Sequence, residues 1–170
     1  MPRGAAIKTL SHYQRKLDAA YQGEFYGLAM YRLIAAARPQ ADEQAKWHQL
    51  VRLEEVTRSV LEPILRRHDM TTAAKPESLT AGEKDAANYM NLPWDHLMRR
   101  FSDELDDDIA EYSALLAMAP EEDQAAIRFL VYHEIVTKAF CDAELAGQGD
   151  HSTAPVEALI ASAAVPALPF

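Results

Sequence analysis

Only one cysteine, Cys141, occurs in the chain. An intrachain disulfide is therefore impossible, and the four thiolates of an iron–sulfur cluster or a structural zinc site are missing. Any metal has to be held by carboxylates and histidines. Basic charge is scarce as well: 17 Lys and Arg face 26 Asp and Glu, for a formal charge of −9. With no long basic run to follow a phosphate backbone, no nucleic-acid partner is expected. No stretch of about 18 apolar residues exists, and the opening MPRGAAIKTLSHYQRK lacks the apolar core and small-residue cleavage site of a secretory signal. These absences predict a cytoplasmic chain with no membrane partner. Gly-rich phosphate loops, Gly-x-Ser-x-Gly elbows and paired-cysteine motifs are also absent, which leaves nucleotide-dependent, acyl-transfer and thiol-redox chemistry without support.

What is present is helical. At 170 residues the chain has the size of one domain and can bury roughly two-thirds of its unfolded surface. Ala, Leu, Glu, Arg and Gln dominate, β-branched alternation is scarce, and no sheet is expected. Periodicity and punctuation give four long helices at about 10–37, 41–68, 93–118 and 121–146. Pro39 separates the first two, Pro93 falls in the first turn of the third, and Pro120 opens the fourth beside Glu121, Glu122 and Asp123. Pro63 inside the second predicts a bend or irregular turn near Ser59 to Pro63. Between Met70 and Leu92, Thr80 and Glu83 form a capping-box signature for a short helix running through Met90. Short, long and short connections predict two antiparallel hairpins joined by a crossover over about residues 70–92. Residues 1–146 form this bundle; residues 147–170 are a linker, Gly147–Pro155, and a short apolar segment.

Advancing about 100° per residue sets one acid in the middle of each apolar stripe. Glu24 lies among Leu17, Tyr21, Leu28 and Tyr31, and Glu54 among Trp47, Leu50, Val51 and Leu61. Asp108 lies among Phe101, Leu105, Tyr112 and Leu115, and Glu134 among Leu130, Thr137 and Cys141. All four sit near mid-helix, so they converge in one layer whichever way each helix runs. Converging buried carboxylates repel and are costly to desolvate, so cations or retained protons are required.

The arrangement resembles the ferritin-like superfamily, whose di-iron and di-manganese members take one Glu from each of two helices and a Glu-x-x-His pair from each of the other two. The resemblance covers residues 10–146, with Glu24 and Asp108 at the single-acid positions and LEEVTR and HEIVTK at the paired ones. It implies an all-α, ferritin-like antiparallel four-helix bundle, running up-down-down-up, with one long crossover and a short C-terminal extension. It also implies one or two iron or manganese ions at Glu24, Glu54, Asp108 and Glu134, and oxidoreductase chemistry on oxygen or peroxide. Relatives of this kind often dimerise, and the apolar tail Val156–Phe170 would otherwise be exposed, so a homodimer is expected.

This chain departs from the family pattern at both paired positions. Thr57 follows Glu54 and Thr137 follows Glu134 where histidines would stand, and the shifted frame Glu55-x-x-Arg58 supplies a cation that cannot ligate. Threonine is a poor ligand beside imidazole or carboxylate, which makes His133 and Glu144 the further donors. Tyr13, Tyr31 and Tyr112 face inward as hydrogen-bond partners or redox-active neighbours, or simply as core. The opposing expectation is a scaffold or interaction module without metal, its acids satisfied by Arg58, tyrosines and threonines. His12, His48 and His96 are expected at the surface, and Cys141 as an inert buried thiol.

Overall fold

A computed structural model describes residues 9–163. Among them are six α-helices, two short 3-10 turns and no strand. Helix α1 spans His12–Ala37 and begins at a capping box: Ser11 Oγ accepts from the Gln14 amide at 3.1 Å while Gln14 Oε1 accepts from the Ser11 amide at 2.8 Å. It ends where Arg38 turns extended ahead of Pro39, as pre-proline sterics require. Helix α2, Ala41–Arg67, carries Asp42 and Glu43 in its first turn and Arg66 and Arg67 in its last, the polarity the helix dipole favours. It remains one α-helix through Pro63, so no break interrupts it where an irregular turn was expected.

Helix α3, Pro76–Ala86, starts four residues before the expected Thr80 cap. Pro76 sets that start, because its fixed φ suits a first helical position and its missing amide costs nothing there. Helix α4, Trp94–Met118, leaves Pro93 just outside its first turn. Helix α5, Gln124–Leu145, follows a 3-10 turn over Glu121–Asp123. Gly147, at φ 74°, ends α5 in a Schellman motif: the Gln148 amide donates to Ala143 O at 2.9 Å and the Gly147 amide to Glu144 O at 3.1 Å. Helix α6, Ala154–Ala163, begins inside the expected linker.

The four long helices touch in a ring, α1 to α2, α2 to α5, α5 to α4 and α4 to α1. Every neighbouring pair is antiparallel. Tyr31 meets Trp47 while Tyr21 reaches Glu62; Lys46 meets Glu144 while Arg67 reaches Asp123. Ser102 bonds Asp142 while Lys138 approaches Asp106; Tyr31 meets Phe101 while Lys16 pairs with Glu111. The crossover lays α3 along α1, and α6 packs on α2 and α5. At one end, buried Asp123 accepts from Tyr13 Oη at 2.8 Å and from Arg67 at 2.7 Å, and sits 2.6 Å from His68 Nε2, tying α5 to α1 and α2.

The apolar core is not continuous. One cluster gathers Ile34, Trp47, Leu50, Met98, Phe101 and Phe140. The other gathers Leu17, Tyr21, Leu61, Leu65, Leu115 and Leu130. On α2, α4 and α5 the central acid falls in the sequence between residues of the two clusters, and on α1 Glu24 stands at the edge of the second cluster, just before Phe25. Helix α6 buries Val156 and Ile160 within the chain, which removes part of the reason for expecting a homodimer; residues 164–170 of that apolar tail lie outside the described residues. None of the described helices is long and apolar enough to cross a membrane.

Trp47 is fully buried and packs edge-on to Phe101 at 5.3 Å between centroids. Trp47→Ala is expected to lower unfolding stability by about 3–5 kcal/mol, as large-to-small aromatic core changes do. Tyr132→Ala on the exposed face of α5 should cost less than about 0.5 kcal/mol. Denaturant midpoints of the two variants check both values.

Candidate metal centre

Between the two apolar clusters, the structure brings Glu24, Glu54, Asp108 and Glu134 to the wall of one cavity of about 340 Å³. The cavity opens along the seam between α1 and α4, where neighbouring long helices touch least. Glu24, Glu54 and Glu134 are buried, at 2%, 4% and 8% exposure. Asp108 is exposed at the rim.

His133 completes the inner group. Its ring is buried, with Nδ1 2.9 Å from Thr57 Oγ1 and 3.4 Å from Glu24 Oε2, and Nε2 3.5 Å from Glu54 Oε1. One ligand atom from each of Glu24, Glu54 and His133 lies within 4.8 Å of the others. Glu24 Oε2 has no hydrogen-bond partner although it is buried, which in a folded interior is an exception that calls for a missing group.

Thr57 and Thr137, each three residues after a central glutamate, have different roles. Thr57 is short enough to leave room for an imidazole arriving from α5, and its hydroxyl meets that ring. Thr137 turns back to donate to the His133 carbonyl at 2.8 Å, a local bond within α5. The imidazole that α2 lacks is thus supplied by the residue just before Glu134.

Two glycines of α1 lie against side chains of this layer. A Cβ on Gly27 would lie 2.5 Å from Glu54 Oε1 and 2.7 Å from its Cδ, so a side chain there would push the Glu54 carboxylate out of its present position. A Cβ on Gly23 would come 3.2 Å from the Tyr112 hydroxyl. Both flank Glu24 in the sequence, and two mid-helix glycines are the signal that sequence reasoning passed over. Tyr26, Tyr89 and Glu104 also line the cavity.

Other expected site residues lie elsewhere. Glu144 does not line the cavity; its carboxylate is held by Lys46 at 2.8 Å, by Trp94 Nε1 at 2.9 Å and by Ser152 Oγ. A residue on the correct helical face but about three turns along from Glu134 reaches a different layer. Arg58 forms no ion pair with the acids among the described residues; its guanidinium lies over the Phe25 ring at 5.0 Å. Tyr13 belongs to the Asp123 cluster, whereas Tyr31 and Tyr112 line the cavity. His12, His48 and His96 are exposed. Cys141 is buried, and burial raises its thiol to about 12, so it stays protonated.

The electrostatics follow from this crowding. Burial, then the charges of Glu24 and Asp108, hold Glu134 up to about 7, with His133 opposing. Burial and Glu24 hold Glu54 well above its ordinary value. Burial alone would lower the His133 ring, but Glu24, Glu134 and Glu54 together hold it well above the ordinary histidine range. At the rim, partial desolvation and then Glu111, Asp107 and Glu104 raise Asp108. Burial, reinforced by Glu54, Glu134 and Asp108, keeps the Tyr31 and Tyr112 phenols protonated.

No protein-family model, no curated protein and no solved structure matches this chain. The residues and their geometry are therefore the whole basis for a functional reading.

Glu134, Glu54 and His133 all hold a proton more tightly in the folded protein than in the unfolded chain, so stability falls as pH rises. For Glu134 the loss runs from its ordinary 4.5 to about 7 and amounts to on the order of 3 kcal/mol. In chelator, the melting temperature is expected to drop between pH ~5 and ~8, and Glu134→Gln should flatten that slope. A melting temperature that rises over the same range would contradict these shifts.

Proposed function

We propose that this chain is a ferritin-like four-helix bundle that binds iron or manganese through Glu24, Glu54 and His133, with Glu134 and Asp108 lining the same cavity. The observation that carries this reading is the buried group of Glu24, Glu54 and His133, whose ligand atoms lie within 4.8 Å of one another and in which Glu24 Oε2 makes no hydrogen bond among the described residues. Its support also includes the antiparallel ring of long helices and the convergence of all four central acids on one cavity. A set of carboxylates and one imidazole suits iron or manganese, and it lacks the thiolates that favour zinc or copper(I).

Within the site the protein's own residues divide the work. Thr57 meets Nδ1 of His133, which leaves Nε2 facing Glu54; a second partner of this kind fixes how an imidazole is presented. Gly27 gives the Glu54 carboxylate its seat on α1. Glu134 titrates near neutrality and can hold or release a proton beside the ligands. Such a metal supplies one-electron chemistry towards oxygen or peroxide, which makes the proposed activity that of an oxidoreductase.

One observation favours a second reading, a scaffold or interaction protein without metal. The His133 ring already stands between Glu24 and Glu54 at 3.4 and 3.5 Å, and an imidazolium there offsets part of their charge. Elemental analysis of protein expressed with iron and manganese supplied separates the two. Near-stoichiometric metal is expected in the parent and its loss in Glu24→Ala/Glu54→Ala. A parent without metal, and a double variant at least as stable, would leave the scaffold reading.

Gly27→Ala gives a sharper test. Alanine favours a helix by about 1 kcal/mol over glycine, but here its methyl displaces the Glu54 carboxylate. Metal retention is expected to fall several-fold while the helical signal is kept. Full retention would show that Glu54 is not a ligand.

A further inference from the structure

The cavity is larger than an ion needs. A metal with two or three waters, each about 30 Å³, leaves most of the 340 Å³ unfilled. Five carboxylates line the space, Glu24, Glu54, Glu104, Asp108 and Glu134, and among the described residues no Lys or Arg does. Five aromatic rings, Tyr26, Tyr31, Tyr89, Phe101 and Tyr112, supply most of the remaining wall.

The carboxylates are not equally available. Glu104 accepts from Tyr89 Oη at 2.9 Å and from Arg100 at 3.0 Å, so its charge is offset from outside. Asp108 has no hydrogen bond or ion pair among the described residues, and Glu24, on the same wall and 2% exposed, leaves Oε2 without a hydrogen bond, the His133 ring standing 3.4 Å from it. An anion entering here would meet only like charge. A neutral guest would desolvate Asp108 without replacing its water. A cation gains both a carboxylate and the negative faces of the rings. Tyr89 already attracts one from outside, with the Arg100 guanidinium 4.3 Å from its ring centroid.

We propose that the outer part of this cavity binds a small organic cation, an alkylammonium, whose nitrogen pairs with Asp108 and whose carbon chain lies against Tyr89, Phe101 and Tyr112. Binding needs only Asp108 and the rings. That amines are also the substrate class of the metal site is the one extension that rests on the metal reading.

The test is calorimetric titration of the full chain with n-butylammonium, which is protonated at neutral pH as a lysine side chain is. Butan-1-ol and butyrate serve as the neutral and anionic counterparts. The titrations are run on chelator-treated and on manganese-supplied protein, with metal content read separately by elemental analysis. Saturable binding of n-butylammonium is expected in at least one preparation, with affinity falling at least about tenfold in Asp108→Asn and with neither counterpart binding. Asp108 is exposed and has no hydrogen bond or ion pair among the described residues, so Asp108→Asn removes no folding contact and relieves repulsion from the neighbouring acids; a melting temperature no lower than the parent's is the control. Equal uptake of butan-1-ol, unchanged affinity in Asp108→Asn, or no saturable binding up to about 10 mM would each overturn the proposal. Because metal content is measured independently, a protein that retains metal but ignores n-butylammonium fails this inference alone, and one that binds n-butylammonium without metal fails only the metal reading.

Discussion

Three glutamates and a histidine, drawn from three helices, share a layer from which most water has been removed, and the rest of the interior is arranged around their mutual repulsion. Desolvated like charges a few ångströms apart cannot all stay ionised without a counter-charge. The protein meets that constraint in two ways: Glu54, Glu134 and the His133 ring all hold protons more tightly than usual, and the layer stays connected to solvent through the cavity. The apolar core divides into two clusters because this polar layer passes between them. An interior of this composition sacrifices stability that a continuous apolar core would have provided, and such sacrifices are commonest at functional sites.

Access to the layer is one-sided for a topological reason. The crossover places α3 along α1, and the chain then returns as α4, which touches α1 only sparsely and leaves the seam where the cavity opens. Across the bundle, α6 packs on both α2 and α5 and buries Val156 and Ile160 there. A ligand therefore approaches from the side that carries Asp108, Glu104 and the tyrosines. Of the exposed acids of α4, Glu104 and Asp108 line the cavity, and Asp108 has no hydrogen bond or ion pair among the described residues.

The relation between Thr57 and His133 shows how a broken motif can mislead. Read along α2 alone, Thr57 marks a missing ligand. Read in three dimensions, it is the small residue that admits an imidazole from α5 and meets it at 2.9 Å. His133 adjoins Glu134 in the chain, yet its ring lies between Glu24 and Glu54, so two consecutive residues of α5 serve different sides of one site. The reverse error concerns Glu144, whose helical face was right but whose layer was wrong, so that it serves the Lys46, Trp94 and Ser152 cluster instead.

By itself the sequence determined the all-helical class, the bounds of the long helices to within a few residues, and the inward direction of Glu24, Glu54, Asp108 and Glu134. These follow from local propensity, capping chemistry and a 3.6-residue period, all of which act along one chain segment. Tertiary structure alone decided which donor atoms meet, that Asp108 stands at the rim while Glu134 is enclosed, that Gly27 is the seat of Glu54, and that Arg58 lies over Phe25 and not among the acids. The physical reason is that periodicity gives an angle about a helix axis, whereas ligation depends on the axial offset and separation between helices. Those are set by packing between residues far apart in sequence, such as the 76 positions between Thr57 and His133.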